Sequence, residues 1–363
     1  AHVLLGRVLR LRGQAAPALN WLETAQQLLE ALGEQGERMA SAALTEQADC
    51  LRALGRLEDA AETYQEAIKR DEERESFRDV AVGKTQLATV RMLQEKYGDA
   101  IALYQEARTL FEQQNEPAMV AVAWHQTGTV HRRAGQYDQA EAAYRRSLEI
   151  QTQTNNPAGQ AHSLNELGTL YDANLNRPEE AVTFYRQAAD SYVALGDLRY
   201  EGVTRNNIAD TLGKLKRYDD ARSEILRAIE CYQPFGTAVE LWKTFAILHN
   251  IETATGNPEA AQTARQQARD AYLAYRRQGG YAQYSGGKLV DHVLGLMAQE
   301  QTNEIGPLCE QLMDDADTAD WLKQFIPMMI AIFRGSRDTS LADDMALSYN
   351  NAAEILFLIE RLP

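Results

Sequence analysis

The sequence predicts an all-α protein, a solenoid of seven helix pairs followed by a cap of about four helices. Three observations carry that reading. An alanine recurs as Ala18, Ala60, Ala100, Ala140, Ala181, Ala221 and Ala261, at spacings of 42, 40, 40, 41, 40 and 40 residues. A second small residue stands 12 or 13 positions upstream of each: Gly6, Ala48, Ala88, Gly128, Gly168 and Ala209, with His249 as the exception. Four residues after the alanine come Leu22, Tyr64, Tyr104, Tyr144, Tyr185, Ile225 or Arg265, and seven after it another small residue. Offsets of four and seven fall on one face of a helix. Small residues let two helix backbones approach, and the aromatic fills the gap beside them.

Taken in order, the copies run over about 1–33, 34–74, 75–114, 115–154, 155–195, 196–234 and 235–278. Each reads as two amphipathic helices around a turn, such as Ala134-Gly135-Gln136. Between copies the pattern is interrupted at Gly33 and Gly36, Pro117, Asn155-Asn156-Pro157, Gly196-Asp197 and Pro234-Phe235-Gly236. The charged run Arg70 to Ser76 has neither Gly nor Pro and reads as a helix end running into the next helix. The seventh copy is degenerate, as a terminal copy is expected to be. A Gly/Tyr-rich segment from Gly279 to Gly287 then breaks the register, and residues 279–363 read as a cap or small domain. Its helical stretches are Lys288–Gln301, Asn303–Ala316, Thr318–Phe333 and Leu341–Leu362.

Of the pattern, Leu164, Leu167, Gly168, Tyr171, Ala181 and Tyr185, and in the neighbouring copy Trp124, Gly128, Ala140 and Tyr144, resemble the tetratricopeptide repeat family. The resemblance covers about residues 1–278. The spacing exceeds the family's usual period of about 34 residues and is similar to its long-repeat, kinesin-light-chain-like branch. It implies a right-handed superhelix whose first helices line a concave, peptide-binding groove. The architecture also resembles the sensor arms of bacterial signalling ATPases, and the start inside a helical pattern suggests further domains before residue 1.

Composition narrows the function. Fifty-two acidic against 37 basic residues give a formal charge of −15, which disfavours attachment to nucleic acid or anionic membrane. More than half of that imbalance lies after residue 278, with thirteen acidic and five basic residues. No apolar run approaches the roughly 18 residues of a membrane span. Cys50, Cys231 and Cys309 are widely separated, which points to a reducing, cytoplasmic setting and against structural zinc.

No catalytic constellation presents itself, and the chain reads as a non-enzyme without cofactor or metal. Gly83-Lys84-Thr85 lacks the upstream Gly and preceding strand of a phosphate-binding loop. His125 and His131 have no acidic partner at ligand spacing. Asp314-Asp315-Ala316-Asp317 lacks the Gly and closing Glu of a calcium loop.

The informative surface is the groove that the resemblance implies. One residue after the small position stand Arg7, Asp49, Thr89, Thr129, Thr169, Asp210 and Asn250; three before it, Val3, Thr45, Thr85, His125, Asn165 and Asn206; six before it, Ala42, Val82, Val122, His162, Val203 and Lys243. Four and five after it stand Arg10, Arg52, Arg132, Arg133, Asp172 and Lys214. Seven cations against Asp49, Asp172 and Asp210 make this face net +4, which suits an acidic protein or extended peptide. His125, Asn165 and Asn206 stack in successive copies, and side-chain amides grip peptide backbones. The chaperone carboxylate clamp is not reproduced, since Thr45 and Thr85 stand where Lys is expected. The alternative is a small-molecule sensor with a pocket between the array and the C-terminal helices, lined by Tyr281, Tyr284, Trp321 and Phe325.

Overall fold

The computed structural model describes residues 1–314, 319–344 and 346–362. The described chain is all-α, 83% helical without strands, with its helices in consecutive packed pairs, a helical-repeat fold. It forms two compact units, residues 1–195 and 196–363.

The first unit holds five pairs: α1 (His2–Leu11) with α2 (Ala15–Glu30), α3 (Glu34–Ala53) with α4 (Leu57–Glu73), α5 (Phe77–Leu93) with α6 (Tyr97–Gln113), α7 (Pro117–Arg133) with α8 (Tyr137–Gln153), and α9 (Pro157–Ala173) with α10 (Pro178–Leu195). Within this unit, α2, α4, α6 and α8 each also pack on the first helix of the next pair.

The repeat positions form its core. Ala60, Ala100, Ala140 and Ala181 are fully buried, as are Tyr64, Tyr104 and Tyr144. A Cβ placed on Gly128 would lie 2.7 Å from the Tyr144 ring, and one on Gly168 would lie 2.6 Å from that of Tyr185. Glycine there is what lets the ring lie flat against the opposing backbone.

Helices end by a common device. One residue of positive φ stands in each connection, about twenty residues after the last: Gly55, Glu75, Glu95, Asn115, Gly135, Asn155 and Asn176 among them. Around Gly135, the Gln136 N–H donates to the His131 carbonyl at 2.9 Å and the Gly135 N–H to that of Arg132 at 3.1 Å. This pairing satisfies carbonyls that a helix C-terminus otherwise leaves orphaned.

The same device corrects the reading of Arg70 to Ser76 as a continuous charged helix end. The helix stops at Glu73, Glu75 takes φ 54°, and the Ser76 N–H returns to the Asp71 carbonyl at 2.8 Å. A non-glycine residue accepts the left-handed turn because the closing hydrogen bonds offset its cost of about 1–3 kcal/mol.

The second unit begins with the two remaining pairs, α11 (Leu198–Lys214) with α12 (Tyr218–Tyr232) and α13 (Leu241–Ala254) with α14 (Pro258–Arg277), separated by a 3-10 turn over Gln233–Ala238. Both odd residues of the last copy have partners. The His249 ring nitrogen meets the carbonyl of Ala261 at 2.8 Å, and Arg265 donates to the carbonyls of Asp344 and Leu347 at 3.0 and 2.7 Å. The cation thus replaces an aromatic plug with a tie to the C-terminal segment.

Four helices follow, α15 (Ser285–Ala298), α16 (Ile305–Asp314), α17 (Asp320–Phe333) and α18 (Tyr349–Arg361). The fourth is shorter than the expected Leu341–Leu362, because Thr339–Asp343 forms a separate 3-10 turn capped by Asp338. The expected ends of the second and third stretches at Ala316 and Thr318 lie outside the described residues, as do Asp315 to Asp317. These helices share one core with the last pair, including Trp242, Tyr272, Val290, Phe325, Ile355 and Leu358.

Inside that core, Glu354 of α18 accepts from the Tyr272 hydroxyl at 2.9 Å and pairs with Arg276 at 2.9 Å. A Cβ on Gly287 would lie 2.3 Å from the Glu354 carboxylate. The glycines that break the repeat pattern therefore admit α18 to the N-terminus of α15.

Gly128→Val should destabilise the protein by about 1–3 kcal/mol, because the rigid Tyr144 ring has no room to retreat. Gly98→Ala, whose Cβ would meet nothing within 4 Å, should be neutral or stabilising by up to about 1 kcal/mol. Urea unfolding of the two variants distinguishes a packing contact from a general intolerance of side chains.

Candidate functional site

The column one residue after the small position is tied to the tyrosines. The Tyr104 and Thr89 hydroxyls meet at 2.8 Å, and Tyr144 and Tyr185 donate to the hydroxyls of Thr129 and Thr169 at 3.2 Å each. The threonines in turn donate one helical turn back, to the carbonyls of Thr85, His125 and Asn165 at 3.1–3.3 Å. In the third pair's neighbour, Asp49 takes the same role, accepting from the Tyr64 hydroxyl at 2.6 Å. A buried phenol needs such a partner. Thr89, Thr129 and Thr169, expected as groove contacts, thus spend their acceptors on the scaffold.

The expected surplus of positive charge is largely cancelled by Glu46, Glu166 and Glu240, left out of the +4, beside the aspartates already counted in it. Glu46 pairs with Arg7 and Arg10 at 2.8 and 2.9 Å, and Asp49 with Arg52 at 3.0 Å. Glu166 stands 3.6 Å from Arg132. In the second unit Asp210 pairs with Lys214 at 3.0 Å, and Glu240 pairs with Lys243. Glu46 and Glu166 lie two residues before the small position, and Glu240 three before Lys243. Those spacings are the sequence signal that the groove is self-neutralised. Arg133 is exposed and has no ion pair among the described residues.

Of the stacked polar residues, His125 packs edge-on to Tyr144, with centroids 5.4 Å apart, and its Nδ1 reaches the Ser163 hydroxyl at 3.4 Å. Burial, with His162 adding to it, holds its pKa down to about 4, so the ring is neutral near pH 7. His162 meets the Tyr192 hydroxyl at 3.0 Å. Asn165 is half-buried beside Glu166. Asn206, in the second unit, donates to the Thr244 hydroxyl at 2.9 Å and leaves its Oδ1 buried without a partner.

Space opens on the first helices of pairs in each unit. In the first, a cavity of about 450 Å³ lies over α1, α3 and α5; its lining includes Val3, Thr45, Ala42 and Val82, the columns three and six before the small residue. In the second, a cavity of about 380 Å³ is lined by Val203, Asn206 and Lys243 of the same columns, with Arg199, Asn207, Tyr232, Val239, Glu240 and Ile247. Ile247 also borders a space of about 230 Å³ holding Asp210, Lys214 and Asn250. Five expected site residues therefore gather along α11 and α13. Arg199, Tyr232, Val239 and Ile247 were not anticipated, because the segment before α13 read as a plain interruption.

Of the four residues expected to line a small-molecule pocket, Trp321 and Phe325 have ring centroids 6.0 Å apart. Phe325 is in the core, the Tyr284 hydroxyl meets that of Tyr349 at 3.1 Å, and Tyr281 is 72% exposed. The phosphate-loop look-alike is mid-helix in α5, where Lys84 pairs with Glu106 at 2.8 Å. All three cysteines are buried thiols. Among the described residues no helix is long and apolar enough to cross a membrane.

Comparisons with known proteins agree with the helical-repeat fold. Family models described as tetratricopeptide repeat match residues 79–153 and 119–194, and residues 10–75. The matches together reach half of the sequence, and the chain belongs to the tetratricopeptide repeat family. No curated protein matches it. Among solved structures it is similar to the apo form of RapI, with TM-score 0.60 and 13% identity over 99% of this chain and 96% of that one. It is also similar to a signal transduction ATPase with numerous domains, carrying a tetratricopeptide repeat sensor, from Pyrococcus horikoshii. There the TM-score is 0.61 and the identity 16%, over 76% of this chain and 42% of that one. BtubC (BKLC) from P. vanneervenii gives 0.53 and 20%, over 64% and 93%. At such identities the likeness is one of fold.

His125 supplies a pH prediction. Its pKa lies below the ordinary value of about 6.5, so protons favour the unfolded chain. That contribution to stability is full above pH 6.5 and lost as pH falls towards 4. Melting curves from pH 7.5 to 5 should fall more steeply for the parent than for His125→Asn, by on the order of 2–4 °C.

Proposed function

We propose that the chain is a non-enzymatic scaffold or sensor module that binds a protein or extended peptide along the first helices of its pairs. One observation supports it above the others. In each unit one cavity lies on the first helices and takes lining residues from the columns that repeat register assigns to the groove. An extended chain lying across successive first helices meets one equivalent position per repeat, so register is kept by spacing and affinity by summed small contacts.

In this reading the array is residues 1–278 and residues 279–363 cap it. Scaffold and ligand residues separate cleanly. Thr89, Thr129, Thr169, Arg52, Arg132 and His125 hold the helices together. Arg133, Asn206, Asp210, Lys214, Lys243 and Asn250 face the ligand, with His162 and Asn165 beside them. An acidic segment suits Arg133, which is exposed, and Lys214 and Lys243, whose partners Asp210 and Glu240 are exposed enough to exchange. A cytoplasmic, signalling role within a longer polypeptide fits the three unpaired thiols and the resemblance of architecture to the Pyrococcus horikoshii protein, whose repeats are described as a sensor.

The decisive experiment is partner capture by the intact protein followed by titration of variants. Arg133→Glu and Lys214→Glu should each weaken capture about 5- to 30-fold, equivalent to about 1–2 kcal/mol, while circular dichroism stays unchanged. Arg132→Glu, by contrast, should lower the melting temperature, since its guanidinium is enclosed beside Tyr144 and Glu166. Equal affinity of the parent and the two exposed-site variants would sink the groove assignment.

A further inference from the structure

One cavity in the second unit is built as a site for a small acid. It is the space of about 380 Å³ between α11, α13 and the turn that joins α12 to α13. Its walls are of three kinds, Asn206 and Asn207 supplying neutral amides beside apolar and charged groups. Val203, Val239, Ile247 and the Tyr232 ring are apolar, and Val203 stays 38% exposed. The charged groups are Arg199, Lys243 and Glu240. Arg199 is exposed and has no ion pair among the described residues.

Glu240 is shared. One of its oxygens accepts from Lys243 and the other from Gln283. The Tyr232 phenol feels both neighbours, Arg199 favouring its ionisation and Glu240 opposing it, beneath the larger effect of burial. Two cations and one carboxylate thus border a space with an apolar wall and two amides, and that carboxylate is tied away on two sides.

We propose that this cavity binds a monocarboxylate with an apolar body, and that Glu240 reports its occupancy to residues 279–284. The acid lies between Arg199 and Lys243, and its body lies on Val203, Val239 and Ile247. A guanidinium and an ammonium beside an apolar wall select one negative charge carrying a hydrophobic remainder.

The incoming carboxylate competes with Glu240 for Lys243. Repulsion then drives Glu240 off, and its bond to Gln283 goes with it. Gln283 precedes Tyr284, whose hydroxyl meets that of Tyr349 on α18 at 3.1 Å. Occupancy is therefore two contacts away from the C-terminal helix. A free small acid and the last residue of a peptide offer the same chemistry. The inference stands apart from the peptide reading, because acid binding here and capture along the rest of the groove can each fail alone.

The test is calorimetric titration of the full chain with 4-methylpentanoate and 3-phenylpropanoate, their primary amides, and the acetylated tetrapeptide Ala-Ala-Val-Leu as free acid and as carboxamide. Hydrogen exchange of residues 279–284 is followed in parallel. At least one acid should bind, with its amide about 10- to 100-fold weaker, the size of a charge-assisted hydrogen bond. Arg199→Gln and Lys243→Gln should each reproduce that loss, and exchange at 279–284 should rise with saturation. Tighter binding of the small acids assigns the site to a free ligand, and tighter binding of the peptide acid to a chain terminus; either supports the inference. Amides that bind as well as acids, no binding by any acid, or unchanged exchange at saturation would overturn it. Partner capture that survives any of these results leaves the peptide reading standing.

Discussion

The contact between a small residue of the first helix and a tyrosine of the second, made in the second to fifth pairs, is what the rest of the structure answers to. It brings two backbones close and buries a large ring, and it leaves a phenol that needs a hydrogen-bond partner in the interior. An unsatisfied hydroxyl there costs about 1–3 kcal/mol, so the partner is part of the contact. In the first unit Asp49, Thr89, Thr129 and Thr169 supply it, and the threonines pass the donor role back to a carbonyl one turn earlier. Where Ile225 replaces the tyrosine, no phenol remains. The equivalent Asp210 is then exposed and pairs with Lys214. The plug in one helix thus decides which side chain of its neighbour is left exposed.

Electrostatics follow the same economy of position. A chain of formal charge −15 keeps its groove cations close to carboxylates on the same face. Arg7, Arg10, Arg52 and Arg132 all have acidic neighbours within 4 Å. Such a face has little long-range pull but many exchangeable ion pairs. On the function proposed above, such a face would select a partner by the geometry of replacement more than by net charge.

Repeat number, helix order and core were legible in the sequence because each copy restates the same spacing. Small–small–aromatic triplets at forty-residue intervals leave few alternatives. The candidate site was less legible, for three particular reasons. Thr129 and its equivalents look like polar surface until the tyrosine above them is placed. Glu46 and Glu166 lie outside the columns used to define the groove, yet their side chains reach across to the arginines. Arg199, Val239 and Glu240 become neighbours only because the turn before α13 folds over α11, which no periodicity encodes. The break at Gly286 and Gly287 was visible, but its cause, the close approach of Glu354, required the partner helix.

The turns carry a consequence for how such a chain changes length. Each helix of the central pairs ends on one positive-φ residue closed by the same pair of hydrogen bonds, at nearly constant intervals. Every such residue is an equivalent joint. A segment spliced out between Glu95 and Gly135, or duplicated between them, rejoins backbones of matching conformation and returns a tyrosine to a small residue on each side. Unequal recombination at these joints adds or deletes whole helix pairs in frame with the fold, whereas a loss of one or two residues inside a helix rotates every later side chain off its partner. The regular joint makes the gene tolerant of large edits and intolerant of small ones.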